Sequence, residues 1–328
     1  MEVIKYNHQS VSNYSTQKGR TSCLKETTMY LEGHKSEIYC GKFSGDGEYI
    51  ASAGFERVVN LWQINEDCEI FATLRGHKGP ILDMKISRDG NYIYTASTDK
   101  SIGVWDATKF TLIRKHRNHT NIVNTCDISS NHPIVMCSGS DDGTIKIWDY
   151  RTRDPQMTLE NKYQITSIAF NNIATKIYSG GIDNDLHVWD VRSKAKSMSL
   201  KGHTDTVCGM ELSPSGDKLV TSSFDNTVRI WNIQAYFKGN RNTSILYGVN
   251  NNFEHNLYHV SWSPCETYVA SGSGDSFAYV WNTESKQLIY RLTGHKGAVN
   301  EADFHPKEPI IATVSTDKSI LMGEINLL

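Results

Sequence analysis

The sequence predicts an all-β chain built from seven repeated units of about four short strands each. Three observations carry this reading. Tryptophan recurs at Trp62, Trp105, Trp148, Trp189, Trp231 and Trp281, in steps of 43, 43, 41, 42 and 50 residues. A further step of 42 reaches Gly323 in "SILMGEI", which aligns with "TIKIWDY" apart from the missing ring. An acid lies six residues before each of these seven places: Glu56, Asp99, Asp142, Asp183, Asp225, Asp275 and Asp317. Four residues before each acid stands a hydroxyl: Ser52, Thr95, Ser138, Ser179, Thr221, Ser271 and Thr313. A fixed period of this length marks units that bury their apolar faces by stacking on one another.

Within a unit the marks alternate between strand and turn. "YIYTAST", "IVMCSGS" and "KLVTSSF" are rich in β-formers, and "SIGVW", "TIKIW" and "TVRIW" alternate apolar with other residues. "SGDGEY", "SRDGNY" and "SPSGDK" carry the Gly, Asp and Pro of tight turns. Helical periodicity is scarce. Each unit therefore supplies about four strands, as a propeller blade does. A histidine stands 22 or 23 residues before the acid in five units, at His34, His77, His119, His203 and His295. The other two units have Asn161 and Phe253 there.

Residues 1–25 are polar and lack strand alternation, so they are read as a flexible tail, with the propeller spanning 26–328. The long step between Trp231 and Trp281 places an insertion at 234–255, "QAYFKGNRNTSILYGVNNNFEH", a candidate contact loop.

The composition is 38% hydrophobic and 21% charged, with a formal net charge of −2. So balanced a charge offers no whole-chain case for nucleic-acid or membrane binding. No apolar run approaches the ~18 residues that span a bilayer. The seven cysteines form no CxxC pair and are expected as buried free thiols.

The Gly-His pairs, the acid six before Trp and the Trp-Asp endings resemble the WD-repeat family, from roughly Met29 to Ile325. The resemblance implies a seven-bladed β-propeller. The last unit offers three strands, and "TTMYLEGH" matches the outer-strand stretch "FATLRGH". Residues 27–31 are therefore expected to complete the last blade and close the ring, which removes exposed edges. Longer stretches, among them "SAGFERVVNLW", "SGSDDGTIKIWD", "YSGGIDNDLHVWD" and "FHPKEPIIATVSTDK", resemble the WD-repeat subunits of spliceosomal small nuclear ribonucleoproteins. That likeness implies a nuclear, non-enzymatic scaffold of pre-mRNA splicing. It would dock on the large central scaffold protein of the particle, near the large GTPase and helicase subunits. It would be a monomeric propeller within a complex, with RNA contact at most indirect and no membrane.

In the family, the histidine, acid, hydroxyl and tryptophan of a blade form one hydrogen-bonded network. Buried polar groups need such partners. The resemblance assigns this role to the five histidines, to Asp99, Asp142, Asp183, Asp225, Asp275 and Asp317, and to the six tryptophans. Complete sets are expected around Asp99, Asp142, Asp225 and Asp317, the last without its ring. Asp183 lacks its histidine, and its donor is expected to be the Asn161 amide, a backbone N–H or water. A Ser-His-Asp nucleophile repeated in every blade makes no sense for an enzyme, so no catalytic residue is assigned. The histidines are spread along the chain without Cys/His pairing, so no metal and no cofactor is expected. Asp183, Asp185 and His187 alternate along one strand, but their place in the repeat argues against a metal site.

Function is then expected in the surface. By family analogy, two positions per blade face one end of the ring: the residue before the acid and the residue five after the histidine place. Their large apolar members are Tyr39, Phe55, Leu82, Ile182, Phe224 and Tyr258, a candidate partner face. The alternative is burial between blades. "WDYR" and "WDVR" match a short signature of propellers that dock a cullin-type ubiquitin ligase, through Arg151 and Arg192. The basic run Lys109–His119 is the one local cue for RNA, more simply read as a solvated outer strand.

Overall fold

A computed structural model describes residues 3–5, 22–24, 26–64, 68–130, 135–251 and 256–325. Its described residues form seven antiparallel sheets and no α-helix. From the centre of the ring outward, blade 1 comprises Ile38–Phe43, Tyr49–Gly54, Val58–Gln63 and Ile70–Arg75. Blade 2 comprises Ile81–Ile86, Tyr92–Ser97, Ser101–Asp106 and Thr111–Arg117. Blades 3, 4 and 5 begin on Val123–Ile128, Ile165–Phe170 and Val207–Leu212 and repeat the same meander. Blade 6 begins on Val260–Trp262 and blade 7 on Val299–Phe304.

Ring closure follows the sequence expectation. Thr28–Glu32 pairs with Ser319–Glu324 and becomes the outer strand of blade 7, with Leu31 opposite Ile320. Thr28–Glu32 and Ser319–Glu324 are thus held in one sheet.

The segment read as a tail makes contacts of its own. Val3–Lys5 pairs antiparallel with Leu292–Tyr290 as a fifth strand outside blade 6. Leu24 is buried against blades 1 and 7, and the Cys23 N–H donates to Glu308 at 2.8 Å. The insertion supplies the outer strand of blade 5, Asn242–Tyr247, preceded by a turn that carries the exposed Tyr236. Residues 252–255, with Phe253, lie outside the described residues.

The core lies between blades. Cys40, Ala51, Ala53, Val59 and Leu61 of blade 1 pack on Ile81, Met84, Ile93 and Trp105 of blade 2. Strands covered on both faces read as near-continuous apolar runs, and second strands such as "YIASAG" are buried along almost their whole length. Outer strands cover one side only; "IFATLR" buries only Leu74 fully. The glycine of Gly-His has a packing reason. A Cβ on Gly33 would lie 2.8 Å from the Trp62 ring, and one on Gly202 would lie 2.8 Å from that of Trp231. Five cysteines are buried; Cys23 and Cys265 are exposed, unlike the expectation for them.

Candidate interaction face and its supporting network

The repeated polar groups assemble at the ends of the second strands. In blade 2, His77 Nε2 lies 2.7 Å from Thr95 Oγ1 and its Nδ1 3.1 Å from Asp99. The Trp105 indole donates to the same hydroxyl at 2.9 Å. His119 repeats this with Ser138, Asp142 and Trp148, and His203 with Thr221, Asp225 and Trp231. His295 joins Thr313 and Asp317 without a ring at Gly323. In blade 1, His34 reaches Ser52 at 2.6 Å, and Trp62 donates to that hydroxyl; Glu56 stands 3.7 Å away. Each acid also accepts the backbone N–H after its histidine, as Asp225 does from Thr204.

These contacts set the ionisation of the groups. Burial by itself would raise the Asp225 carboxyl, but hydrogen bonds from His203 and Thr227 outweigh it and hold it well below the usual range. Asp99, Asp142 and Asp317 behave alike, with Lys115 adding to His77 at Asp99. Burial pulls the His203 imidazole below its ordinary value, against the pull of Asp225.

Blades 4 and 6 solve the missing histidine in a way the sequence expectation did not include. Asp183 does not take the Asn161 amide. Its Oδ2 lies 2.6 Å from His187 Nε2, on the third strand of the same blade, while His187 Nδ1 meets Ser199 at 2.9 Å. The Asn161 amide instead donates to the Tyr163 carbonyl. In blade 6 the Tyr279 hydroxyl donates to Asp275 at 2.6 Å. Trp281 there donates to the Tyr247 carbonyl, not to Ser271. His187 and Tyr279 each stand two residues before the blade tryptophan. On a strand that spacing returns the side chain to the tryptophan's own face. Among the described residues no His, Cys, Asp and Glu group could hold a metal ion.

At the same end of the ring lie the candidate partner residues. The residue five after the histidine place is a β-bulge in six blades. The register skips Tyr39 between Ile38 and Cys40, and likewise Leu82, Asn124, Thr166, Cys208 and Asn300. A bulge re-aims its side chain at the rim. The result differs by residue type. Asn124, Thr166 and Asn300 turn between blades, where Asn124 and Asn300 donate to the carbonyls of Ile165 and Ile38 in the next blade. Tyr39 and Leu82 stay half-buried, and Phe224, in the other series, does too. Phe55 and Ile182 are 50% and 47% exposed. Tyr258 departs from the expectation. It is only 1% exposed, because the chain there precedes the short strand Val260–Trp262 instead of bulging within it. Tyr39, Phe55 and Leu82 line one cavity of about 280 Å3, together with Pro80, Thr98, Asn256, Leu257 and Asn300.

The opposite end differs in kind. The turns between first and second strands surround a mouth of about 630 Å3 that includes Lys85, Arg88, Asp127, Glu211 and Trp262. Beneath it a charge network crosses the channel. Lys42 of blade 1 lies 2.8 Å from Glu301, 2.9 Å from Asp303 and 3.6 Å from Glu211 of blade 5. Lys85 lies 3.8 Å from the same Glu211 and 4.0 Å from Asp127. The acids also accept N–H groups of the following blade: Asp127 from Phe170, Glu211 from Trp262, and Asp303 from Phe43. Burial raises the carboxyls of Asp127 and Asp303 to about 6, with Lys85 and Lys42 drawing them back down. Sequence reading missed this network, since its members sit on innermost strands outside the repeated marks.

Arg151 lies across its own Asp149, with its Nη2 2.6 Å from the carboxylate, and Arg192 is exposed. The basic run sits in the outer strand Thr111–Arg117, where Lys115 is taken by Asp99 at 2.6 Å.

Comparison with known proteins agrees with this architecture. The family described as "WD domain, G-beta repeat" matches residues 23–63, 68–106 and 286–322. The family described as "Nucleolar protein 10-like, N-terminal domain" matches residues 108–272. The chain is 47% identical over 306 residues to the U5 small nuclear ribonucleoprotein 40 kDa protein of Homo sapiens, covering 93% of this chain and 86% of that one. The protein of the same name from Dictyostelium discoideum is 44% identical over 307 residues, covering 93% and 86%. Pre-mRNA-splicing factor cwf17 of Schizosaccharomyces pombe is 38% identical over 307 residues, covering 94% and 90%.

Proposed function

The chain belongs to the WD-repeat family of the U5 small nuclear ribonucleoprotein 40 kDa protein, and on that premise we propose that it is a non-enzymatic, nuclear protein–protein scaffold of pre-mRNA splicing. The observation that carries this is identity of 47% spread over 86% of the relative's length, whose name places that relative in a small nuclear ribonucleoprotein. The chemistry of the blades supports a structural reading. The hydroxyls that would serve as nucleophiles are buried, and each of Thr95, Ser138 and Thr221 is bonded to both its histidine and its tryptophan. In this reading the propeller docks on the large central scaffold protein of the particle, close to its GTPase and helicase subunits, through the end that carries Phe55 and Ile182.

Purification of the tagged full chain from nuclear extract tests the proposal. Recovery of the small nuclear ribonucleoprotein with its central scaffold protein is expected. Replacing Phe55 and Ile182 by Asp should reduce that recovery at least tenfold while shifting Tm by only a few degrees, since both side chains are half exposed. Recovery of a ubiquitin-ligase adaptor instead, lost on Arg151→Ala with Arg192→Ala, would replace this function with the ligase reading.

A further inference from the structure

The geometry points to Ser199 of blade 4 as an activated nucleophile, a serine that takes the acyl group of an activated ester. His187 is its base, and Asp183 holds the far side of the base. Such a covalent acceptor site is independent of the docking reading above and compatible with a scaffold.

The proton positions follow from the partners. A carboxylate only accepts hydrogen bonds, so Asp183 Oδ2, 2.6 Å from His187 Nε2, places a hydrogen on that nitrogen. In the neutral ring the lone pair is then at Nδ1. Ser199 Oγ lies 2.9 Å from Nδ1, so its hydroxyl donates to a lone pair that can take its proton. The acid fixes this tautomer and stabilises the imidazolium once it forms.

The other blades hold similar groups without this capacity. His77, His119 and His203 also join an acid to a hydroxyl, but Thr95, Ser138 and Thr221 are 0% exposed and each accepts a tryptophan N–H. An oxygen sealed between blades meets no acyl carbon. Ser199 is exposed on Ala195–Leu200, the outermost strand of blade 4, and accepts no N–H among the described residues. The base comes from register. His187 pairs with Ser199 across the sheet, whereas blade 3 pairs Lys146 with Thr158 at that place. An ammonium has no lone pair to receive a proton.

The setting also selects the donor. Ser199 stands at a sheet edge, where solvent, not a preorganised pocket, surrounds the reacting carbonyl. The leaving group must then be good on its own account, which favours an activated ester over an amide. With p-nitrophenyl acetate, Ser199 Oγ attacks the carbonyl carbon and its proton passes to His187 Nδ1. The aryl C–O bond breaks, p-nitrophenolate leaves with the electron pair, and the imidazolium returns its proton to water. The product is O-acetyl-Ser199.

The test treats the full chain with p-nitrophenyl acetate and locates the acetyl group by tandem mass spectrometry. Ser197 is an internal control in the same tryptic peptide, 197–201: it is exposed too, but its hydroxyl donates to the Val188 carbonyl at 3.0 Å. Acetylation of Ser199 is expected at least tenfold faster than that of Ser197, since a positioned base contributes about 10²–10⁴-fold. Asp183→Asn removes the charge behind the ring, and His187→Gln removes the base. Each should slow Ser199 acetylation at least tenfold and leave Ser197 unchanged, in chains that still melt cooperatively. Equal rates at the two serines of the parent chain overturn the inference, and this comparison decides by itself if neither variant folds. A Ser199 rate unaltered by Asp183→Asn or His187→Gln in a folded chain overturns it as well.

Discussion

Single side chains decide whether a blade's buried acid is satisfied. His203 bridges Asp225 and Thr221, and His203→Ala should cost about 1–3 kcal/mol by calorimetric or denaturant melts. His187→Ala is expected to cost at least as much. It removes the Asp183 donor in a blade where the second carboxylate oxygen is already without a partner among the described residues. Asn161→His alone should change stability by less than about 0.5 kcal/mol, because His187 already holds Asp183. Paired with His187→Gly it should recover much of the single-mutant loss. That pair rebuilds the arrangement of blade 2, where Gly103 lies beside His77. A double-mutant cycle that returns simple additivity would refute the shared role. The absence of histidine in two blades was legible from spacing. The substitutes were not, because His187 and Tyr279 lie in strand positions held by Lys146 and Arg229 elsewhere, and only the folded sheet turns them to the acid.

At the scale of elements, the turn between second and third strands is the repeated joint. The residue after the acid has positive φ in every blade, from 60° at Asn226 to 75° at Gly143. Gly143 is the one glycine of the seven. Ser276, with φ of 70°, is therefore expected to tolerate glycine with unchanged or slightly raised Tm, since strain relief offsets the entropy of the unfolded chain. The outer strand Thr28–Glu32 carries more weight than its length suggests. It pairs with the last blade over five residues and buries Leu31. Deleting residues 1–32 should abolish cooperative unfolding, whereas deleting residues 1–21 should leave it, as circular dichroism melts will report. Equal melts for the two truncations would contradict the closure argument. The sequence pointed to this strand because "TTMYLEGH" repeats an outer-strand pattern. The pairing of Val3–Lys5 on blade 6 had no such repeat to announce it.

At the scale of the molecule, the ring is held by groups that only neighbouring blades bring together. Lys42 and Lys85 share Glu211 across the channel, with partners from blades 1, 2, 3, 5 and 7 in one network. Its titration gives the fold a pH signature. Asp127 and Asp303 hold their protons to about 6 in the folded chain, above the ~4 of an unfolded aspartate. Raised values contribute stability that is complete below about pH 4 and is lost as pH climbs through 6. Asp99, Asp142, Asp225 and Asp317 act in the opposite sense. Their depressed values contribute stability above about pH 4 that is lost as pH falls toward them. The lowered His203 adds to the acid loss below about pH 6.5. Tm plotted against pH should therefore drop steeply below pH 4, while between pH 5 and 7 the loss from Asp127 and Asp303 runs against the gain from His203. Asp303→Asn should raise Tm at pH 7 relative to pH 5 when compared with the parent, and Asp225→Asn should soften the acid limb. Parallel curves for Asp303→Asn and the parent between pH 5 and 7 would refute the assignment.

By itself the sequence determined the all-β class, the number of blades, the strand that closes the ring and the two blades that lack a histidine. All of these are written as local patterns recurring at a near-constant period, and each unit repeats the pattern whether or not its neighbours are known. Tertiary structure alone decided that Tyr258 is buried, that Asp183 and Asp275 bond to His187 and Tyr279, that the channel is crossed by Lys42 and Lys85, and that Tyr39, Phe55 and Leu82 line one cavity. The channel pairs and the cavity wall join side chains from different blades, and the remaining contacts depend on which way a strand or bulge turns a side chain. Distance in space between such groups is set by stacking, not by spacing along the chain.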